Sequence, residues 1–395
     1  MSRMSFRFIR LPLEVALAST LAISCARTAA AQIAVSSNDN KVTLDNGVIK
    51  VVKNPPADTV SIIDLKVFPP KVIAEVKAPS SVIGPPLNVA ITPDEGLALV
   101  TSSMKVDPDD PTKQAPDNRM SVIDLTAKPP KVIAQLEAGK SPAGLSINSQ
   151  GTLALVANRG DGTVSIFGIS GKTVTPVGKV TLGDDKIGVS HVAISRDGKT
   201  ALATRDGDHM ISVLSIDGTK VEYTKRDMMA GLKPYAVDIS ADGSVAVVGN
   251  DGRGNGDADT ISVIDLKATP PRVVEFLNVG QTPEGILFSP DGKVVAVTVM
   301  NGSNKAKDSP FYGDKAILRL YSVDGTKLHP LAAAWMGRWP QGIAFSPDGK
   351  TILAQSMVDK EISVYQLEGN TLKDTGKRIK TNGGPCGIRT ATPKR

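Results

Sequence analysis

Pro340-Gln341-Gly342-Ile343-Ala344-Phe345-Ser346-Pro347-Asp348-Gly349 is the stretch that decides how this chain folds. A short apolar run leads into a tight turn. Pro fixes φ, Asp bonds its own backbone, and Gly takes the left-handed position. The phrase recurs as PEGILFSPDG at 283–292, PYAVDISADG at 234–243, VSHVAISRDG at 189–198, PAGLSINSQG at 142–151 and PLNVAITPDEG at 86–96. A last copy, Pro385-Cys386-Gly387-Ile388-Arg389-Thr390, begins and stops. Successive copies start roughly 45 to 57 residues apart, which marks a repeat architecture.

Three more strand-like runs follow each copy. The second is seen in Leu153–Asn158 and Val245–Asn250, the third in Thr59–Leu65, Met120–Leu125, Thr163–Ile169 and Thr260–Leu266. The fourth runs through Lys71–Val76, Lys131–Leu136 and Arg272–Phe276. Their β-branched residues favour strands over helices. Four strands per period and no helical pattern predict an all-β fold: a seven-bladed β-propeller of four-stranded antiparallel blades over residues 47–395. Gly47–Lys53, Thr59–Leu65 and Lys71–Val76 are expected to be the outer strands of a first blade that lacks an inner one. The C-terminal Pro385–Thr390 would supply it and close the ring without free edges. Residues 32–46 then read as an N-terminal linker.

Leu155-Val156-Ala157-Asn158-Arg159-Gly160-Asp161-Gly162-Thr163-Val164-Ser165-Ile166 resembles the YVTN repeat, with Leu-Val-Ala-Asn in place of Tyr-Val-Thr-Asn. Thr260–Gly292 is similar to a whole repeat of that family, and the likeness extends from about Gly47 onward. The resemblance implies the same seven-bladed fold. It leaves function open, because such propellers include binding proteins, surface proteins, lactonase-like hydrolases and scaffolds of redox enzymes. Blade 4 departs most, with Ala203-Thr204-Arg205-Asp206 at the signature position.

Composition narrows the setting. Aromatic residues are only 4%, so Val, Ile, Leu and Ala must fill the core. The net charge is +6, but Arg3, Arg7, Arg10 and Arg27 against Glu14 place half of it in the first 31 residues. The remaining basic residues are scattered, so no nucleic-acid partner is expected. Residues 1–31 read as a signal peptide: an arginine-rich start, the apolar Val15–Ser24, and Ala29-Ala30-Ala31 before Gln32. The apolar stretch is too short for a transmembrane span. Leu21-Ala22-Ile23-Ser24-Cys25 offers a second reading, a lipoprotein signal that would leave a lipid anchor on Cys25. Either route predicts a periplasmic or secreted propeller. Cys386 is the only other cysteine, so no internal disulfide framework is expected.

Strand alternation puts the loops between second and third strands on the face where the inner strands begin. Three are enlarged: 103–119, 251–259 and 301–315. Long loops on a rigid scaffold concentrate binding residues. Around the channel on that face, His191 and Asn88 replace glycines of the repeat, Glu284 and Gln341 hold the position before one, and Tyr235 aligns with them ahead of Ala236. With Arg205 from the end of a second strand, these six form the expected ligand-binding ring. Glu284 or His191 would serve as general base there, and Arg205 would steady an oxyanion. Asp251, Asn255, Asp257 and Asp259 supply hard oxygen donors suited to calcium, although the order is not that of an EF-hand. No other cofactor is predicted. Cys-x-x-Cys-His and Gly-x-Ser-x-Gly are absent, and Arg159-Gly160-Asp161 reads as an ordinary hairpin.

The leading expectation is therefore a binding or scaffold propeller that takes a small molecule or partner protein on the enlarged-loop face. The rival is a lactonase-like hydrolase at the channel mouth.

Overall fold

The Ser-x-Asp-Gly turns form as their chemistry requires. Ser346 Oγ donates to Asp348 Oδ1 at 2.5 Å, Asp348 Oδ1 also accepts from Lys350 N at 3.1 Å, and Gly349 has φ +70°. The same bonds recur at Ser240/Asp242 and Ser289/Asp291. Each turn joins two buried strands. Leu153–Asn158 and Val245–Asn250 are buried at every residue, as strands covered on both faces must be. The outermost strands alternate, as in Lys131–Glu137, because only one of their faces meets a neighbour.

The computed structural model describes Met1 and residues 32–392. The expected signal peptide and Cys25 lie outside the described residues. Seven four-stranded antiparallel sheets stand in a ring. Blades 3 to 7 are each built from four consecutive strands, with inner strands Pro142–Ile147, Val189–Ile194, Pro234–Ile239, Pro283–Phe288 and Pro340–Phe345. Blade 2 has Val89–Ile91 innermost. Apolar clusters fill the gaps between blades. Leu155 and Val164 of blade 3 pack with Val189, Val192 and Ala201 of blade 4.

Blade 1 closes the ring, from inside outward: Gly384–Thr390, Ile33–Asp39, Thr59–Asp64 and Lys71–Lys77. The C-terminal strand pairs antiparallel with Ile33–Asp39, Ala34 against Thr390 and Ser36 against Ile388. Both flanks of the seam are sealed. Ala34, Ile63 and Ile388 pack with Ala344, Leu353 and Ile362 of blade 7, and Val35, Val60 and Ile62 with Val89, Ala98 and Val100 of blade 2. Gln355 Nε2 donates to Ser36 Oγ at 2.8 Å, and Ser37 Oγ donates to Asn88 Oδ1 at 2.8 Å. A Cβ on Gly387 would fall 1.9 Å from Asn88 Oδ1, so a larger residue there would push Asn88 off its bond to Ser37.

The expected membership of blade 1 needs one correction. Its second strand is Ile33–Asp39, inside the stretch read as a linker, and not Gly47–Lys53. Val42–Asp45 and Val48–Val51 form a separate hairpin around Asn46-Gly47, both at positive φ. Asn-Gly is the strongest short hairpin signal, and it takes these residues out of the blade. The hairpin leans over the enlarged-loop face: Lys307 N donates to Asn46 Oδ1 at 2.9 Å, and Lys305 Nζ reaches Gly254 O at 2.5 Å. The N-terminal hairpin and the loops of blades 5 and 6 thus join into one cap.

A buried ionic knot holds the base of that hairpin. Lys41 Nζ lies 3.1 Å from Asp39 and 2.6 Å from Asp58, and it also donates to Ser80 O. Burial opposes its charge, but the two carboxylates outweigh that and raise its pKa. Removing one member of such a knot leaves uncompensated buried charge. Lys41→Met is therefore expected to cost roughly 3–5 kcal/mol in denaturant unfolding. Deleting residues 384–395 is expected to lower Tm by more than about 10 °C. An unchanged Tm would contradict the closure.

Candidate functional site

On the enlarged-loop face, the residue just past each second strand reaches over the channel mouth. In blades 3, 4 and 5 these are Arg159, Asp206 and Asp251; in blades 6 and 7 they are Met300 and Met357. The mouth is accordingly split. Met300 and Met357 pack with Val42, Val82, Trp339 and Cys386 into an apolar cluster. The other half is charged.

Arg159 spans that charged half. Its Nε donates to Asp206 Oδ2 at 3.1 Å, and its guanidinium lies 5.7 Å from the centre of the Tyr235 ring. Burial opposes its charge, yet the surrounding Tyr235, Asp206 and Asp251 raise its pKa further. Lys233 Nζ stands 4.0 Å from Asp251 Oδ2. Burial lifts Asp251 to about 6; Lys233 opposes this, and Asp259 and Asp206 add to it. Burial also drives Glu284 well above the carboxylate range, and the Asp251 charge pushes the same way. The cluster therefore sets Arg159 and Lys233 against Asp206 and Asp251, with burial disfavouring a further charge on Glu284, so that the formal charges nearly cancel. Two buried acceptors, Asp251 Oδ1 and Gln341 Oε1, have no hydrogen-bond partner among the described residues.

Of the six residues expected in the ring, the structure brings Tyr235, Glu284 and Gln341 to this mouth. The other three go elsewhere. Arg205 turns outward into blade 4, where it pairs with Asp208 and, at 2.9 Å, with Asp227. A carboxylate from the turn just after its strand and one from its blade's outermost strand hold it more strongly than an open channel could. Asn88 is used in the seam, bonding Ser37 and Ser81 O. His191 lines a cavity of about 170 Å³ lower in the channel, beside the Ser-x-Asp-Gly turns. Burial and the Arg389 charge hold it neutral, its pKa well below the usual histidine range. Glu284, His191 and Arg205 thus share no pocket.

The four calcium candidates do not converge. Asp251 faces Lys233, Asp259 Oδ2 accepts from Thr282 N at 2.8 Å, and Asn255 Nδ2 donates to Asp257. Among the described residues, no group of three or more His, Cys, Asp or Glu could hold a metal. The loop's donors do not fit a calcium ion.

Sequence reasoning missed Arg159, Asp206 and Asp251 as members of the mouth. Arg159 was absorbed into an Arg-Gly-Asp hairpin. The available signal was the position itself: the residue after the second strand is charged in three consecutive blades.

No family model matches the chain. Among curated proteins, a dipeptidyl-peptidase 5 of Aspergillus fumigatus is 29% identical over 110 residues, 26% of this chain and 14% of that protein. Antigen Lp49 of Leptospira interrogans is 26% identical over 203 residues, 47% of this chain and 40% of that protein. The chain thus spans well under half the length of these relatives. Two solved structures align over nearly everything. One is a periplasmic gluconolactonase of Pseudomonas aeruginosa, with TM-score 0.65, 16% identity, and coverage of 92% of this chain and 99% of that one. The other is a Bacteroides uniformis protein provisionally assigned as a 6-phosphogluconolactonase, with TM-score 0.69, 16% identity, and coverage of 92% and 100%. At such identities the likeness establishes the propeller fold.

Because Asp251 titrates near 6 when folded and near 3.8 otherwise, its contribution to stability is fully present below the lower value. It is lost as pH rises through about 6. The loss is on the order of 3 kcal/mol. Asp251→Asn is expected to flatten the stability profile between pH 4 and 7; a profile unchanged by that substitution would contradict the assignment.

Proposed function

We propose that this propeller binds a neutral, hydroxyl-rich small molecule, of the sugar or sugar-lactone class, at the charged half of the channel mouth. The observation that carries the reading is the pair of orphaned acceptors, Asp251 Oδ1 and Gln341 Oε1, inside a cluster whose formal charges nearly cancel. Buried acceptors without donors are costly, and a ligand that brings hydroxyl donors relieves them. A strongly charged ligand would gain little, since Arg159 and Lys233 already have carboxylate partners. An extracytoplasmic site is part of this reading. The arginine-led apolar stretch ending at Ala29-Ala30-Ala31 and the periplasmic P. aeruginosa neighbour support it. Among the described residues, no helix is long and apolar enough to cross a membrane.

A second reading, hydrolysis of a bound lactone, is favoured by two carboxyl groups at the mouth, Asp251 and Glu284, whose protonated forms burial stabilises. Asp251, ionised above about 6, would take a proton from the attacking water. Glu284, whose protonated form burial favours, would give its proton to the ring oxygen as the acyl C–O bond breaks, leaving a hydroxy acid. The lactonase neighbours support this chemistry as a candidate.

Calorimetry with hexono-δ-lactone and with a free hexose tests binding. Saturable binding is expected, weakened at least about tenfold by Arg159→Ala and by Asp251→Asn. Because the carboxylate is the accepting form, affinity should rise as pH increases through about 6 in the parent and not in Asp251→Asn. Absence of saturable binding to either compound contradicts the proposal. Lactone hydrolysis followed by proton release decides the second reading: it requires turnover that falls in Glu284→Gln, and turnover equal to the uncatalysed rate ends it.

A further inference from the structure

The opposite end of the channel carries a different chemistry. Counted from Pro86, Pro142, Val189, Pro283 and Pro340, the fifth residue of the repeat phrase is small or apolar in five blades: Ala90, Ser146, Ala193, Leu287 and Ala344. In the other two it is charged, Asp238 in blade 5 and Arg389 in blade 1. Three steps separate these blades on a ring of seven, so the two side chains approach from nearly opposite walls. Both line the cavity of about 170 Å³, together with Ile194, Ile239 and Phe288.

The two charges do not meet. No ion pair or hydrogen bond joins them, although their sign would draw them together if the walls allowed it. Asp238 Oδ2 accepts from Phe288 N at 2.8 Å, which fixes the carboxylate against its own wall. The Arg389 side chain has no hydrogen bond or ion pair among the described residues. Burial costs each its charge: it raises Asp238 against the pull of Arg389, and lowers Arg389 against that of Asp238. Arg196, at the cavity rim, adds a weaker positive field on Asp238. Partly buried charges held apart on fixed strands are expensive unless something between them completes both.

We propose that this cavity is a second binding site, separate from the mouth, for a small zwitterion of the α-amino-acid class, its carboxylate on Arg389 and its ammonium on Asp238. Arginine presents a fork that suits a carboxylate, and an aspartate with one oxygen already bonded keeps the other for an ammonium. The Ile194, Ile239 and Phe288 walls suit a short aliphatic side chain. The volume admits one small ligand or several waters. His191, kept neutral on the same wall, adds no competing charge.

The test is calorimetric titration of the full chain with L-valine, and separately with isobutyrate and isobutylamine, which carry one charged group each. Saturable binding of L-valine is expected, at least about tenfold tighter than either single-charge compound. Arg389→Met and Asp238→Asn should each weaken it at least about tenfold, while circular dichroism and Tm show the propeller intact. Asp238→Asn keeps an acceptor for Phe288 N, so it keeps the proposal testable if Arg389→Met fails to fold. Arg159→Ala, at the other mouth, should leave L-valine binding unchanged. No saturable binding of L-valine, equal binding of isobutyrate, or binding indifferent to both channel substitutions would each overturn the assignment.

Discussion

The antiparallel pairing of Gly384–Thr390 with Ile33–Asp39 is the interaction on which the rest of the molecule depends. A hydrogen bond in a ladder contributes only about 1 kcal/mol net, so the ladder alone would not hold the ring. The seam is strong because apolar clusters flank it on both sides and because Gln355 and Asn88 reach into it from the neighbouring blades. It also determines the channel. The closing strand brings Cys386 to one end of the inner wall and Arg389 toward the other, so a propeller without it would lack part of both sites.

One repeat frame generates two unlike ends. At the enlarged-loop face, the residues past the second strands pair their charges locally: Arg159 with Asp206, and Lys233 near Asp251. What remains unmet there is hydrogen-bond acceptors. At the turn face, Asp238 and Arg389 hold opposite charges that no ion pair joins. What remains unmet there is charge. The two proposed ligands differ accordingly, a hydroxyl-rich neutral molecule and a small zwitterion, though both ends are lined by the same inner strands. Capping differs as well. The hairpin around Asn46-Gly47 covers the first end, and its hold depends on the Lys41 knot beneath it.

The blade count, the turns and the circular closure were legible because they depend on local rules repeated along the chain: apolar runs, Ser-x-Asp-Gly, and a spacing that leaves one inner strand over. The second strand of blade 1 was not. Ile33–Asp39 carries no repeat phrase before it, since its inner partner lies at the other end of the chain, and Gly47–Lys53 offered equally β-prone residues nearby. Placement at the mouth was legible where the backbone position alone fixes direction, as for Tyr235, Glu284 and Gln341. They were not where a long side chain chooses among partners. Arg205 sits at the end of a second strand as expected, yet Asp208 and Asp227 draw it outward. Arg159, one residue past the equivalent point in the previous blade, reaches across two blades instead. Alignment of the fifth position of the repeat phrase would have exposed Asp238 and Arg389 from sequence, as the only charged residues among seven equivalents.

Hydrogen exchange on the intact chain, read peptide by peptide, tests the closure most directly. The account requires the amides of Val35–Ser37 and Ile388–Arg389 to exchange in the same slow class as those of Leu155–Ala157, since all lie in buried ladders of one cooperative ring. Rapid exchange at Ile388–Arg389, with Leu155–Ala157 still protected, would mean that the last strand is not part of the ring.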